Sequence, residues 1–192
     1  MLAAKRHDYV SVDHSTPGLD EIKKNKEQHI NSDSTNSTTD STDTTETTHK
    51  MGTVGCVVMY NGQVAAGTST GGMTNKLSGR IGDSPLIGAG TYADNKSAAI
   101  SCTGWGEEFM KHVAAYDVHA RMVYGGKDVK TAASGTLFDH LPNDTGGLIA
   151  VTAQGDFVMD FNTLGMYRGM VTGDGEGRVG IWRDEEVFSW KK

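Results

Sequence analysis

Cysteine is scarce: the 192 residues hold two, Cys56 and Cys102, each inside an apolar run. Two such residues build no disulfide framework, and buried free thiols in a reducing compartment are the expectation. Long hydrophobic runs are missing too. No stretch approaches the ~20 apolar residues of a membrane span. The opening Met-Leu-Ala-Ala-Lys-Arg-His-Asp has no apolar core of signal-peptide length. No membrane contact is expected, and the cytoplasm is the default location. Basic charge does not cluster. Net charge is −6, with six basic and nine acidic side chains in residues 1–52 and twelve and fifteen beyond, so no nucleic-acid partner is expected. There is no internal repeat.

Composition changes abruptly along the chain. Residues 1–30 are polar, with a weak helical pattern over Leu19–Ile30. Residues 31–49 contain only Asn, Ser, Asp, Thr, one Glu and a terminal His. Nothing there can be buried to offset ordering entropy, so disorder is expected. A strip of that kind, ending at 52 beside a strand, is where chain cleavage is expected. Residues 53–192 are the folded region. Two apolar runs, 54–60 and 63–67, flank Asn61-Gly62, the strongest short signal for a type I′ hairpin. That turn sets Thr53 opposite Thr70, two hydroxyls at the open end of one hairpin. A Gly-rich loop over 71–91 and a strand over 98–103 follow. Phe109, Val113, Ala120 and Val123 recur at helical spacing, and Gly125-Gly126 stops that helix. A second helix is expected over 128–140, a hairpin over 148–161 and strands near 165–171, 177–182 and 186–189. Strands, two adjacent helices and further strands make an α+β layered fold.

On composition alone Thr53 reads as an ordinary β-branched strand residue; the ordered motifs along the chain make it the candidate nucleophile. A threonine hydroxyl needs a base beside it at neutral pH. If the Gly52–Thr53 bond is cut, the new α-amine of Thr53, with a pKa of about 7.7–8.0, can be that base. Gly52 suits the cleavage because it has no Cβ to obstruct attack on its carbonyl. Arg80 and Asp83 suit a zwitterion: a guanidinium fork takes a carboxylate, and a carboxylate takes an ammonium. The plain alternative is an internal ion pair of the loop. Thr103 and Gly104 lie between a strand and a helix, where a backbone N–H can meet an oxyanion. Gly67 to Gly72 has a phosphate-loop skeleton but no Lys-Ser/Thr after it. His112, Asp117 and His119 share no helical face, so a solvated surface is expected there rather than a metal site.

The ordered motifs carry a resemblance. Gly52-Thr-Val-Gly55, Thr68-Ser-Thr-Gly-Gly-Met-Thr-Asn-Lys76 and Gly79-Arg-Ile-Gly-Asp-Ser-Pro85 are followed by Gly88-Ala-Gly-Thr-Tyr-Ala93, Ser101-Cys-Thr-Gly104, Gly146-Gly-Leu-Ile149 and Phe161-Asn-Thr-Leu-Gly-Met-Tyr167. This order resembles the β-subunit half of the threonine-type isoaspartyl peptidase/L-asparaginases, N-terminal-nucleophile hydrolases. The resemblance implies an αββα sandwich, two stacked antiparallel sheets between helical layers. It also implies self-cleavage at Gly52–Thr53 and hydrolysis of asparagine and isoaspartyl dipeptides through an acyl-enzyme on Thr53.

It implies site roles as well. Thr70 supports Thr53. The stretch Arg80, Ile81, Gly82 and Asp83 holds the substrate's α-carboxylate and α-amine. The Thr103 hydroxyl and Gly104 amide bind the oxyanion, and Thr103, Gly104, Trp105 and Gly106 line the substrate site. Trp105 stands where relatives carry a small or polar residue, which bears on pocket shape. No cofactor or metal is expected within these residues; the family's structural sodium loop belongs to the α-segment. That segment is long in the family, whereas 52 residues precede Thr53 here. The expectation is therefore a dependence on a complete α-segment, an exposed edge and apolar face on the 53–70 hairpin, and a dimer of αβ units. Two alternatives stand beside this: a glycosylasparaginase, and a silent truncated paralogue or incomplete gene product without turnover.

Overall fold

The computed structural model describes residues 9–12 and 52–189. The weak helix of 19–30 and the polar strip of 31–49 lie outside the described residues. Asn61 and Gly62 turn the chain with φ of 50° and 73°, the two positive angles a type I′ turn requires. The flanking runs become β2 (Thr53–Tyr60) and β3 (Gln63–Thr70). Their register sets Thr53 opposite Thr70, as the turn dictates. One strand was not expected: Tyr9–Val12, β1, pairs antiparallel with Gly55–Val58 of β2. The exposed edge expected on β2 is thus covered there. Tyr-Val-Ser-Val is a good strand sequence, too short to stand out within a polar segment.

A second sheet runs in the order β4 (Thr91–Ala93), β5 (Ala98–Gly104), β6 (Gly146–Thr152) and β7 (Phe157–Phe161). Alternation divides its side chains between two cores. Ala98, Ile100 and Cys102 of β5, with Leu148 and Ala150 of β6, pack under the helices. Ala99, Ile149 and Val151 face the other way, against Val57, Met59, Val64 and Ala66 of the hairpin. The order of layers is therefore helices, sheet, sheet. Thr53, Gly55 and Val57 share the buried face of β2, so the Thr53 side chain points into the space between the sheets. On the opposite face of β2, Val54 is 48% exposed and Cys56 is exposed; the expectation of two buried thiols holds for Cys102 alone. Burial, then the charge of Asp83, pushes the Cys102 thiol well above its usual range, which makes it a packing group. β8 (Arg168–Val171), β9 (Glu176–Gly180) and β10 (Glu185–Ser189) form a third antiparallel sheet beside β1.

The expected single helix after Gly104 is two: α1 (Gly106–Lys111) and α2 (Ala114–Val123). Val113 breaks it with φ of 48°, a costly angle for a β-branched residue. The break lets the first amides of α2 dock on the 86–91 loop. Ala115 N–H donates to Ala89 O at 3.1 Å, and Tyr116 N–H to Gly88 O at 2.8 Å. Helical N–H groups that would lack partners thus gain them. His119, expected at a solvated surface, is buried, with Nδ1 2.8 Å from Ser97 Oγ. Asp128 caps α3 (Val129–Ser134) by accepting from Lys130 N–H and Thr131 N–H. A π-helical segment, Gly135–His140, completes the expected 128–140 helix.

Candidate active site

The open end of the β2–β3 hairpin meets the 79–85 loop and the end of β5 around one small cavity. Gly52, Thr53, Thr70, Arg80, Asp83 and Gly104 are among the residues that line it. Thr53 is 7% exposed, and its Oγ1 lies 3.2 Å from Ser84 Oγ. Thr68, on the inward face of β3, fixes the same turn by donating to Ser84 O at 2.8 Å. The Thr70 hydroxyl donates to Gly52 O at 2.6 Å. The support Thr70 offers is therefore directed at the carbonyl preceding Thr53. Free volume in the uncut chain is about 10 Å³, room for one water at most.

Arg80 and Asp83 sit together but do not neutralise each other directly. Arg80 Nε donates to Glu107 Oε1 at 2.7 Å and its NH2 group to Glu107 Oε2 at 2.8 Å. The bond from Arg80 holds the Glu107 carboxyl below its usual range, and the reciprocal bond raises Arg80. The other side of the fork lies over Gly82, whose ideal Cβ would come 3.0 Å from NH1. Asp83 is 4% exposed. Its carboxylate is boxed between Gly90 and Gly106, where a Cβ would come within 2.8 Å of Oδ2 and 2.7 Å of Oδ1 respectively. Oδ2 is buried without a hydrogen-bond partner among the described residues. Burial pushes the carboxyl up to about 6, against the pull of its own N–H, the Arg80 charge and the Ser84 N–H. A buried carboxylate oxygen with an unused acceptor face fits an arriving cation.

Thr103 is buried at 8% exposure, next to Gly104 at the end of β5. Gly104 adopts φ of 136°, and a Cβ there would stand 2.2 Å from Thr145 O. Gly104→Ala is expected to cost about 3 kcal/mol or more, measurable as a lowered midpoint of chemical unfolding. Trp105 N–H donates to Thr145 O at 2.8 Å, fixing the start of α1. Ile81 and Trp105, 63% and 46% exposed, are not among the residues lining the cavity. Gly106 acts on the site as the floor under Asp83. Among the described residues, no group of three or more His, Cys, Asp or Glu side chains is placed to hold a metal ion, and no helix is long and apolar enough to cross a membrane.

A family model described as asparaginase matches residues 4–181. The chain belongs to the asparaginase family. Among curated relatives, the isoaspartyl peptidase of Escherichia coli is 42% identical over 188 residues, covering 96% of this chain and 50% of that protein. The isoaspartyl peptidase of Salmonella typhimurium is 43% identical over 187 residues, 96% of this chain and 51% of the relative. The chain spans about half the length of these relatives. Its stacked antiparallel sheets fit the α+β N-terminal-nucleophile hydrolase fold. Two residues of this asparaginase-family site had no earlier signal of their own. Ser84 lies within the Gly79–Pro85 motif, but only the fold turns it toward Thr53. Glu107 is 27 positions from Arg80, and its place in Gly104-Trp-Gly-Glu107 was the one available clue.

Proposed function

We propose that this chain carries the nucleophile half of a self-processing amidohydrolase that acts on L-asparagine and β-aspartyl dipeptides. The observation that carries the proposal is the pairing of an unsatisfied, buried Asp83 oxygen with the Arg80 fork at the cavity of Thr53. An aspartyl substrate presents an α-carboxylate and an α-ammonium on one carbon. The ammonium takes Asp83 Oδ2, and the carboxylate takes the Arg80 edge that Glu107 leaves over Gly82. Thr53 Oγ1 then attacks the side-chain carbonyl, with its own α-amine accepting the proton, and the Thr103–Gly104 end of β5 receives the oxyanion. Ammonia or an amino acid leaves, and water releases aspartate from the ester on Thr53.

The α-amine exists only after the Gly52–Thr53 bond is cut. The self-cleavage proposal is supported by the Thr70 hydrogen bond to Gly52 O and by Gly52 lining the same cavity as Thr53, a cavity of about 10 Å³ that is too small for substrate in the uncut chain. An α-segment, from a longer gene product or a second chain, completes the unit, and two such units form a dimer. The buried Cys102 thiol, outside any disulfide, is in keeping with a cytoplasmic setting.

Arg80→Ala tests the assignment. Self-cleavage should proceed, because the precursor presents no free zwitterion. KM for asparagine and for an isoaspartyl dipeptide should rise by about 30-fold or more, in line with about 2–5 kcal/mol for one partner of a buried charged contact. Steady-state assays of ammonia and aspartate release check this, with glycosylasparagine as the comparison substrate. Lost processing with unchanged KM would make Arg80 structural and sink the substrate assignment.

A further inference from the structure

The loop after β3, Gly71-Gly-Met-Thr-Asn-Lys76, has chemistry the proposed turnover does not use. Left-handed angles at Gly72 (φ 81°) and Asn75 (φ 58°) fold it back on itself, with Lys76 N–H donating to Met73 O at 3.4 Å. The Lys76 stem comes to lie on Gly72, where a Cβ would stand 2.9 Å from Lys76 Cδ. Its Nζ donates to Gly71 O. That carbonyl and the Gly72 N–H belong to one peptide unit. Gly72 N–H donates to Thr70 Oγ1 at 2.8 Å, and the Thr70 hydroxyl donates to Gly52 O at 2.6 Å. Every link donates in the same direction, from the ammonium toward the Gly52 carbonyl.

We infer that Lys76 is a positioning residue for chain cleavage, acting through the Gly71–Gly72 amide and Thr70 on the oxygen of Gly52. The inference rests on the self-cleavage proposed above. In that step Thr53 Oγ1 bonds to the Gly52 carbonyl carbon, and the carbonyl π electrons move onto Gly52 O. When the oxyanion collapses, the C–N bond breaks and the hydroxyl proton ends on the Thr53 nitrogen. The resulting ester is hydrolysed by water to a Gly52 carboxylate and a free Thr53 hydroxyl. Negative charge on Gly52 O is thus transient, and Thr70 is the donor aimed at it. An ammonium on a carbonyl makes a charge-assisted bond, and hydrogen-bond chains polarise one another by about 10–30% per link. Lys76 therefore strengthens the Gly72 N–H as a donor, and through it the Thr70 O–H. It also holds the loop so that the Gly72 amide stays on Thr70. Once Gly52 departs, that acceptor is gone, which makes this a device for processing rather than for substrate affinity.

The test measures how fast a fragment beginning at Thr53 appears, by intact mass spectrometry of the full gene product. Loss of a direct oxyanion donor slows a reaction about 10²- to 10³-fold, so a cation that changes that donor's strength by about 10–30% should matter by about two- to eightfold. Lys76→Met should cleave about two- to eightfold more slowly and Lys76→Arg at close to the wild-type rate. On a Thr70→Val background, Lys76→Met should add nothing, since the route to Gly52 is already cut. Wild-type cleavage by Lys76→Met, or equal slowing with and without Thr70, overturns the inference. A wild-type chain that stays whole overturns self-cleavage itself, and the role of Lys76 with it.

Discussion

Thr53→Ala is expected to leave the chain uncut after Gly52 and to lower amide hydrolysis by at least about a thousandfold. Two losses coincide in this variant. The hydroxyl that attacks Gly52 is gone, so no α-amine is released, and the hydroxyl that would carry the acyl group is gone as well. The fold should survive. Thr53 begins a strand whose register is set by the Asn61-Gly62 turn, and among the described residues its side chain makes one long hydrogen bond, to Ser84. Thr53→Ser keeps the hydroxyl and should still be cut, more slowly, because without the β-methyl its Oγ is free to rotate away from Gly52. In cleaved enzyme, turnover should rise with pH through the α-amine's range of about 7.7–8.0, where the base becomes neutral. Mass spectrometry and an ammonia assay read both effects. Substantial hydrolysis by uncut Thr53→Ala would mean another nucleophile, and the mechanism would fail.

What could be read before folding was what depends on neighbours in sequence. The hairpin was legible to the residue because Asn-Gly and two flanking apolar runs fix register locally. Thr53, Arg80, Asp83 and Gly104, which the fold brings to one cavity, were singled out because each sits in a compact motif whose residue types suit a chemical task. The misses share a cause. Val113 breaks its helix for contacts with Gly88 and Ala89, more than twenty positions away. Tyr9–Val12 is a strand because the β2 edge is there to pair with. Glu107 became part of the site only when α1 set its carboxylate on Arg80, so the internal ion pair of Arg80 is real but has a different partner from Asp83. Thr70 was placed correctly opposite Thr53, yet its hydroxyl serves the carbonyl one residue earlier, a direction no pairing rule specifies.

Asp83→Asn should make the uncut protein more stable near neutral pH while removing its capacity to hold an aspartyl substrate. Burial raises the native carboxyl to about 6, whereas an unfolded aspartate titrates near 3.9. Between those values the native state holds the proton more tightly than the unfolded state, so this group's contribution to stability falls as pH rises. Above about pH 6 the full penalty applies, about 3 kcal/mol for two pKa units. Below about pH 4 both states are protonated and the penalty disappears. Asparagine has no charge to desolvate and nearly the same shape, which suits a carboxylate confined between Gly90 and Gly106. The comparison belongs in a Thr53→Ala background, so that both proteins remain one uncut chain. Urea unfolding from pH 4 to 8 should show the Asn variant gaining up to about 3 kcal/mol at pH 7 and converging with its parent toward pH 4. In cleaved enzyme the same substitution should raise KM about 30-fold or more, because the ammonium would face a neutral amide. For wild-type enzyme, kcat/KM already falls about tenfold per unit below the α-amine's range, and should fall about a hundredfold per unit below about pH 6, where Asp83 also takes up its proton. An Asn variant less stable at pH 7, or a stability difference unchanged from pH 4 to 8, would mean that Asp83 is already neutralised by a partner in the native state, leaving no charge there to receive the substrate.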